Sequence, residues 1–317
     1  MTLLKRKRVL AAKVEATVGT AESLTASEAA FNAYDVMIQP EIEFEEREGQ
    51  GSFGYLASVP GGYKGTASFK TDISWDGTGD PSWVTTFFPA CGLVKDTGVW
   101  YPKTAAPGSD VKTLTIGCYQ DGMFKSIRGA AGTFKINLAT GKRATIEWTF
   151  TGIWVTPTDS AIIDPTYPGF ETPTAEMPLR AAGVQASFNS IALCYETATI
   201  DLGNEIMMRE CATDASGFHS ALITNRKPMV TANPEAKLVA TRPSYTNWLA
   251  RLEASLSIGL ASATGNGSFV FAAPKAQIIN IQEGDRNRLV TDELEWQCNR
   301  NAQTDDREFS ITFTDNS

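Results

Sequence analysis

The chain has 317 residues, 42% hydrophobic and 20% charged, which is enough for two ordinary buried cores and too apolar for a disordered chain. A formal charge of −8 argues against wrapping nucleic acid through phosphate contacts. No apolar run approaches the ~20 residues of a membrane-spanning helix, so no membrane partner is expected.

The chain opens on a basic run, Lys5, Arg6, Lys7 and Arg8, followed only by Val9-Leu10-Ala11-Ala12. That apolar stretch is shorter than the roughly 7–15 residues of a secretory signal core, so the protein is expected to be made and kept in a cytoplasm. Residues 15–30, rich in Ala, Thr, Ser and Glu, read as an extended arm. In Glu41-Ile42-Glu43-Phe44-Glu45 a strand puts Glu41, Glu43 and Glu45 on one face and Ile42 and Phe44 on the other. Such a row of carboxylates can ligate a metal or act as a catalytic pair; more often it is a solvated outer face, and the preferred reading is an acidic stripe facing a channel. Gly49-Gln50-Gly51-Ser52-Phe53-Gly54 matches G-x-G-x-x-G, but Val59-Pro60-Gly61-Gly62 follows where a dinucleotide site needs a helix, so it reads as a glycine-rich loop.

Asp76-Gly77 and Asp121-Gly122 mark turns. Asp80-Pro81 starts a helix carrying Trp83, Phe87 and Phe88 on one side, and Pro89 limits it to about two turns. Thr133 to Leu138 and Arg143 to Ile153 read as strands around Thr140-Gly141-Lys142. Residues 155–186 hold Pro157, Pro165, Pro168, Pro173 and Pro178 and read as a linker. Ile200 and Leu202, like Ile42 and Phe44, alternate with polar neighbours as half-buried strands do. Trp248, Leu249, Leu252 and Leu256 recur at helical spacing, with Gly259 as the stop.

The two halves repeat one another. Ile136-Asn137-Leu138-Ala139-Thr140-Gly141-Lys142-Arg143 and Ile279-Asn280-Ile281-Gln282-Glu283-Gly284-Asp285-Arg286 share a pattern at an offset of 279 − 136 = 143. Ile146-Glu147-Trp148 and Leu294-Glu295-Trp296 follow at 296 − 148 = 148, implying five extra residues in the second turn. Arg47-Glu48 matches Arg209-Glu210, and Pro81-Ser82-Trp83 matches Pro243-Ser244-Tyr245, both at 209 − 47 = 243 − 81 = 162. Four matches in one order point to an internal duplication.

Little here suggests a reaction centre. The five cysteines, Cys91, Cys118, Cys194, Cys211 and Cys298, are widely spaced and read as buried thiols. The one histidine, His219, sits in a loop-like Gly-Phe-His-Ser context, and acid–base and zinc chemistry usually lean on several. No catalytic, cofactor-binding or metal residue is assigned, and no cofactor is expected.

The segment Ala12-Lys13-Val14-Glu15-Ala16-Thr17-Val18-Gly19-Thr20, behind its basic run, resembles the opening of long-tailed (siphovirus-type) phage tail tube, or major tail, proteins. These typically begin with a basic residue and then L-x-A-K-[IV]-E-x-T-x-G-T; Val18 departs by standing where an aromatic is expected. The resemblance is specific over about the first 45 residues and one of organisation beyond them. It implies a mainly β chain of two tandem β-sandwich or barrel domains, each with a flanking helix. The expected layout is an N-terminal arm (1–34), copy 1 (35–156), a linker (157–186) and copy 2 (187–317). It further implies rings, trimeric with pseudo-sixfold symmetry where two tube domains are fused, stacked into a tube in the virion. Glu41, Glu43 and Glu45 would then face the lumen, and Lys5, Arg6, Lys7 and Arg8 would reach the adjacent ring. Expected partners are other copies of the chain, a tape measure protein, tail-tip and terminator proteins, and DNA in transit without specific binding. Two alternatives stay open: another tail ring component (tip, baseplate hub or terminator), or a carbohydrate-binding or glycosidase module using the acidic strand.

Overall fold

A computed structural model describes residues 3–75, 79–106, 109, 111–165, 177–183, 185–261, 267–302 and 306–314; the Asp76-Gly77 turn, Pro168 and Pro173 lie outside them. The first half contributes β1 (Arg8–Val14), β2 (Ala33–Glu48), β3 (Tyr55–Asp72), β4 (Ser74–Trp75), α1 (Ser82–Phe87), β5 (Leu93–Asp96), β6 (Val99–Pro102), β7 (Leu114–Gln120), β8 (Met123–Ala139) and β9 (Thr145–Asp159). The second contributes β10 (Met177–Pro178), β11 (Ala186–Phe188), β12 (Ile191–Ala192), β13 (Tyr195–Asp201), β14 (Asn204–Glu210), β15 (Phe218–Arg226), β16 (Met229–Pro234), α2 (Ser244–Leu249), β17 (Glu253–Ala261), β18 (Ser268–Arg286), β19 (Leu289–Cys298) and β20 (Ser310–Thr314). The protein is mainly β, as a β-sandwich.

One antiparallel sheet runs through both halves in the order β2-β3-β9-β8-β13-β16-β19-β18. Each half supplies four strands in corresponding order, and they join where Lys135–Ala139 of β8 pairs with Asp201–Thr197 of β13. The second layer comes from the same long strands. The first part of β8 pairs with β7, which pairs with β1; the first part of β18 pairs with β17 and β20. A strand shared by two layers must bend. β8 does so at a bulge between Arg128 and Ala131, where Gly129 takes φ +58°.

Period-two burial sets the inward face. Ile146, Trp148 and Phe150 of β9 and Leu256, Ile258 and Leu260 of β17 are all buried. Trp148 lies at the centre, its ring 5.0–6.4 Å from those of Phe69, Trp83, Phe87, Phe88, Phe134 and Phe150. The core continues without a break into the second half, through Ile136 and Ile200 to Trp296.

Several expectations are corrected. Leu252 to Gly259 are not helical: α2 ends at Leu249, and the alternation of Leu256 with Ile258 and Leu260 makes β17, with Gly259 inside the strand. Residues 8–14, placed in the arm, form β1 and bury Leu10, Ala11 and Ala12 against the sheet. The linker is partly structured: β9 runs to Asp159, β10 pairs with β4, and Leu179 is buried. Ile42 and Phe44, read as half-buried, are exposed. Beyond about Gln39 the β2–β3 hairpin leaves the core; its base meets Ser216 and Phe218 at Gly62 and Tyr63, while residues 41–48 and 55–61 are exposed. Gly284, matched to Gly141 by sequence, pairs with Thr291 inside a strand, whereas Gly141 turns at φ +75°. The residue pairing with Trp148 is Phe134, and the one pairing with Trp296 is Ile278, so the offset there is 278 − 134 = 144.

Trp148→Ala should lower stability by about 3–5 kcal/mol, since a fully buried indole leaves a cavity that six rings cannot collapse to fill. Urea unfolding followed by fluorescence measures it; a loss below 1 kcal/mol would contradict this packing.

Candidate functional site

The face of the eight-stranded sheet turned away from the core is polar and crossed by matched rows. One row steps directly opposite from strand to strand: Lys70, Glu147, Lys135, Asp201, Met229, Gln297 and Gln277. A second runs Asp72, Thr145, Asn137, Thr199, Thr231, Glu295 and Asn280. Hydroxyls and amides make up half of these two rows and charged groups nearly all the rest, as a sheet that faces water requires.

Charge on this face is arranged in pairs. Lys70 Nζ lies 2.7 Å from Glu147, Lys135 Nζ 2.8 Å from Asp201, and Lys64 Nζ 3.0 Å from Glu41. Hydrogen bonds to Glu147 and Asp201 raise the Lys70 and Lys135 ammonium pKa values above the usual lysine range. Arg143 pairs with Asp72 at 2.8 Å and stacks on Tyr34. Exposed pairs of this kind add little stability, on the order of 0–1 kcal/mol each. Their effect is on the surface: each lysine already holds a carboxylate.

The halves differ. Glu147 of the repeated aliphatic-Glu-Trp triplet has Lys70 and Lys135 as cross-strand neighbours, whereas Glu295, its counterpart, has Thr231 and Asn280. Glu293 adds a further carboxylate beside Gln282. The first half is close to neutral across this face and the second is acidic. The triplet itself is explained: Trp points into the core and Glu onto the polar face, a period-two alternation.

Of the predicted acidic residues, Glu41 reaches the edge of this face, opposite Lys64; Glu43 and Glu45 stand exposed along the projecting hairpin. Of the basic run, Lys7 pairs with Asp121 at 2.8 Å and Arg8 donates to the Val36 carbonyl at 2.6 Å, while Lys5 and Arg6 are exposed. Lys70, Lys135, Glu147, Asp201, Glu293 and Glu295 were not singled out as site residues; the alternation in β9 and β19 was the signal that exposes Glu147 and Glu295. His219 holds Asp214 at 3.0 Å, and that hydrogen bond keeps the Asp214 carboxyl below the usual range. Cys91, Cys118 and Cys298 are buried, but Cys194 is exposed and Cys211 half-buried, against the expectation of five buried thiols. Burial pushes the Cys298 thiol up to about 12. Among the described residues no group of His, Cys, Asp and Glu is placed to hold a metal, and no helix is long and apolar enough to cross a membrane.

Behind this face the N-terminal motif has a structural task. The buried carboxylate of Glu15 accepts from Gly129 N at 2.7 Å, Gly19 N at 2.8 Å, Thr113 Oγ1 at 2.5 Å and Thr115 Oγ1 at 2.9 Å. It ties the Val14–Gly19 segment to β7 and to the bend of β8. Gly19 takes φ +77°, and a Cβ there would stand 2.4 Å from the His219 carbonyl oxygen of β15. The motif thus seats the second half's hairpin as well.

Fold and surface together define a mainly β protein whose distinguishing feature is a broad, charge-paired sheet face, bounded by edges that no strand fills among the described residues. A family model described as phage tail tube protein matches residues 5–298, nearly the whole chain, and the chain belongs to that family. It is a structural tail tube protein, a virion component of a kind that self-assembles into a tube. A search of curated proteins gave no match.

Glu15→Gln turns one acceptor into a donor facing buried N–H and hydroxyl groups. It should cost about 1–3 kcal/mol in denaturant unfolding while leaving the circular dichroism spectrum unchanged; unaltered stability would show that the four contacts do not carry the segment.

Proposed function

We propose that the chain is two fused tube domains, β1–β9 and β11–β19, and that three chains close into a near-sixfold ring, rings stacking into the tube that conducts DNA. The β8–β13 junction carries this reading. Among the described residues β2 pairs with no strand along its outer edge, and β18 has none opposite β19 from Ile278 onward. These edges correspond to β13 and to the joining part of β8. Val36 and Ile38 are buried with exposed neighbours, as Ala198 and Ile200 are buried in β13. If the next chain's β2 takes on β18 the place β13 takes on β8, every edge is filled.

Strand number supports a trimer. Three chains give 3 × 8 = 24 tilted strands, hence a barrel roughly 45 Å across between backbones, room for a hydrated duplex. Six full chains would about double that width. The lumen would be the polar face: its lysines are already paired, and the unpaired carboxylates of the second half repel phosphate, so DNA slides without being held. Glu41 begins this face, and Glu43 and Glu45 continue it along the hairpin. Lys5 and Arg6 remain for the adjacent ring. A tape measure protein would occupy the lumen before DNA, with tip and terminator proteins at the ends.

Native mass measurement and electron microscopy of the purified protein should find rings of three chains stacked into tubes; a strictly monomeric chain at high concentration would overturn the reading. Glu293→Lys with Glu295→Lys should leave the tubes intact but make them retain DNA and slow ejection, followed by dye-labelled DNA release. Unchanged release would remove the charge argument and leave the ring.

A further inference from the structure

Two hairpins leave the sheet at corresponding corners, and among the described residues only one of them has a seat. In the second half, β14 and β15 form a two-stranded hairpin beyond β13 and β16. It folds across the junction onto the first half. Asn204 Nδ2 donates to the carbonyls of Cys91 and Gly132, both at 2.9 Å, Ile223 packs at Gly92 behind α1, and the Ser216 carbonyl accepts from Tyr63 N. The tip of this hairpin therefore touches the base of the first half's hairpin.

The distal part of β2–β3 is built on the same plan. Its pairs Phe44–Pro60, Glu45–Val59 and Glu48–Tyr55 match Ile206–Ile223, Met207–Leu222 and Glu210–Phe218. Gly203 breaks the second hairpin from its strand at φ +64°, whereas β2 runs on through Glu41, and beyond its base the first hairpin is exposed. It leaves Phe44 61% and Tyr55 67% exposed. The seat also recurs. The chain turns left-handed at Gly92 after α1 and at Arg251 after α2, and in both places the following residue donates back into the turn, Leu93 N to Phe88 O and Leu252 N to Asn247 O. At the second seat α2 buries only Ser244 and exposes Leu249 at 81% and Trp248 at 37%.

We propose that the β2–β3 hairpin of one chain lies on the second half of its neighbour in the same ring, with Phe44 and Pro60 over Arg251 and Leu252 and Tyr55 beside Asn225 and Arg226. The occupant is a second copy of this chain. The β14–β15 hairpin shows the arrangement within one chain, and the empty seat lies on the half that carries the unfilled edge of β18. Hairpins then overlap tip to base around the ring. Two apolar surfaces exposed in the single chain cover one another.

The proposal rests on the ring reading, and one experiment separates the two. In a chain carrying Cys194→Ser and Cys211→Ser, Phe44→Cys with Arg251→Cys is treated with a short bismaleimide after assembly. Met37→Cys with Gln282→Cys serves as the edge control. Covalent chains joined 44 to 251 by peptide mapping, closing at the size of one ring, support the seat. Tubes that join 37 to 282 but not 44 to 251, or that join 44 to 251 only between rings, overturn the seat and leave the ring standing. A chain that never assembles, even without substitutions, removes both. Phe44→Asp, exposed in the single chain, should leave its unfolding midpoint unchanged and reduce tube yield at least tenfold; unchanged yield would also overturn the proposal.

Discussion

The pairing of β8 with β13 is the constraint on which the rest of the molecule depends. Five residue pairs cross it, Ile136–Ile200 and Leu138–Ala198 on the core side, Lys135–Asp201 and Asn137–Thr199 on the polar side. Both faces are thus satisfied at once: aliphatic contact below, an ion pair and small polar groups above. One slipped residue would exchange the faces and bury Lys135, so the register is fixed by the cost of that exchange. Joining the two half-sheets also displaces the problem of edges. A β protein of this size ordinarily blunts its edges; this one fills the inner pair with itself, and among the described residues the outer edges of β2 and distal β18 have no strand partner.

The bend of β8, before it reaches the junction, is held by Glu15. Burying a carboxylate is costly, and four donors offset that cost here. The donors come from three places in the chain, so one residue fixes the segment after β1, the start of β7 and the bend of β8 together. The left-handed Gly19 that closes the segment leaves room only for the backbone of β15. This gives K-V-E-A-T-V-G-T a physical reason that its sequence alone does not disclose: the glutamate binds backbone N–H groups, and the glycine admits a neighbouring strand.

Much of the scaffold was legible in the sequence because it follows short periods. Pro81-Ser82 and Pro243-Ser244 stand at the starts of α1 and α2, and Glu147-Trp148 and Glu295-Trp296 place one residue on each face of equivalent strands. What misled was pattern without its structural context. Leu252 and Leu256 fall at helical spacing, yet the longer alternation through Leu260 prevails because it buries three residues in a sheet. Ile42 and Phe44 alternate as a core strand does, but whether anything covers them depends on tertiary placement. The I-N-x-x-x-G-x-R match holds in composition and fails in register, since a bulge between Ile278 and Asn280 shifts the second strand. The charge-paired rows were illegible for a related reason: Lys70, Glu147, Lys135 and Asp201 meet only through the registers of three strand pairs.

The differences between the halves then fit one logic. Where the first half has Lys70 and Lys135 beside its glutamate, the second has Thr231 and Asn280; where the second has Gly203 breaking its hairpin, the first has Glu41 and an unbroken strand. A single tube domain repeated six times would have to give every seam the same charge and every hairpin the same course. Under the proposed reading as two fused tube domains, one seam forms within the chain, where the effective concentration of the two halves is that of an intramolecular contact. The other seam would stay open until a second chain arrived. In the proposed three-chain ring, assembly would need only three such encounters, and a lumen lined by this face would alternate between neutral and acidic sectors while its backbone stayed close to sixfold.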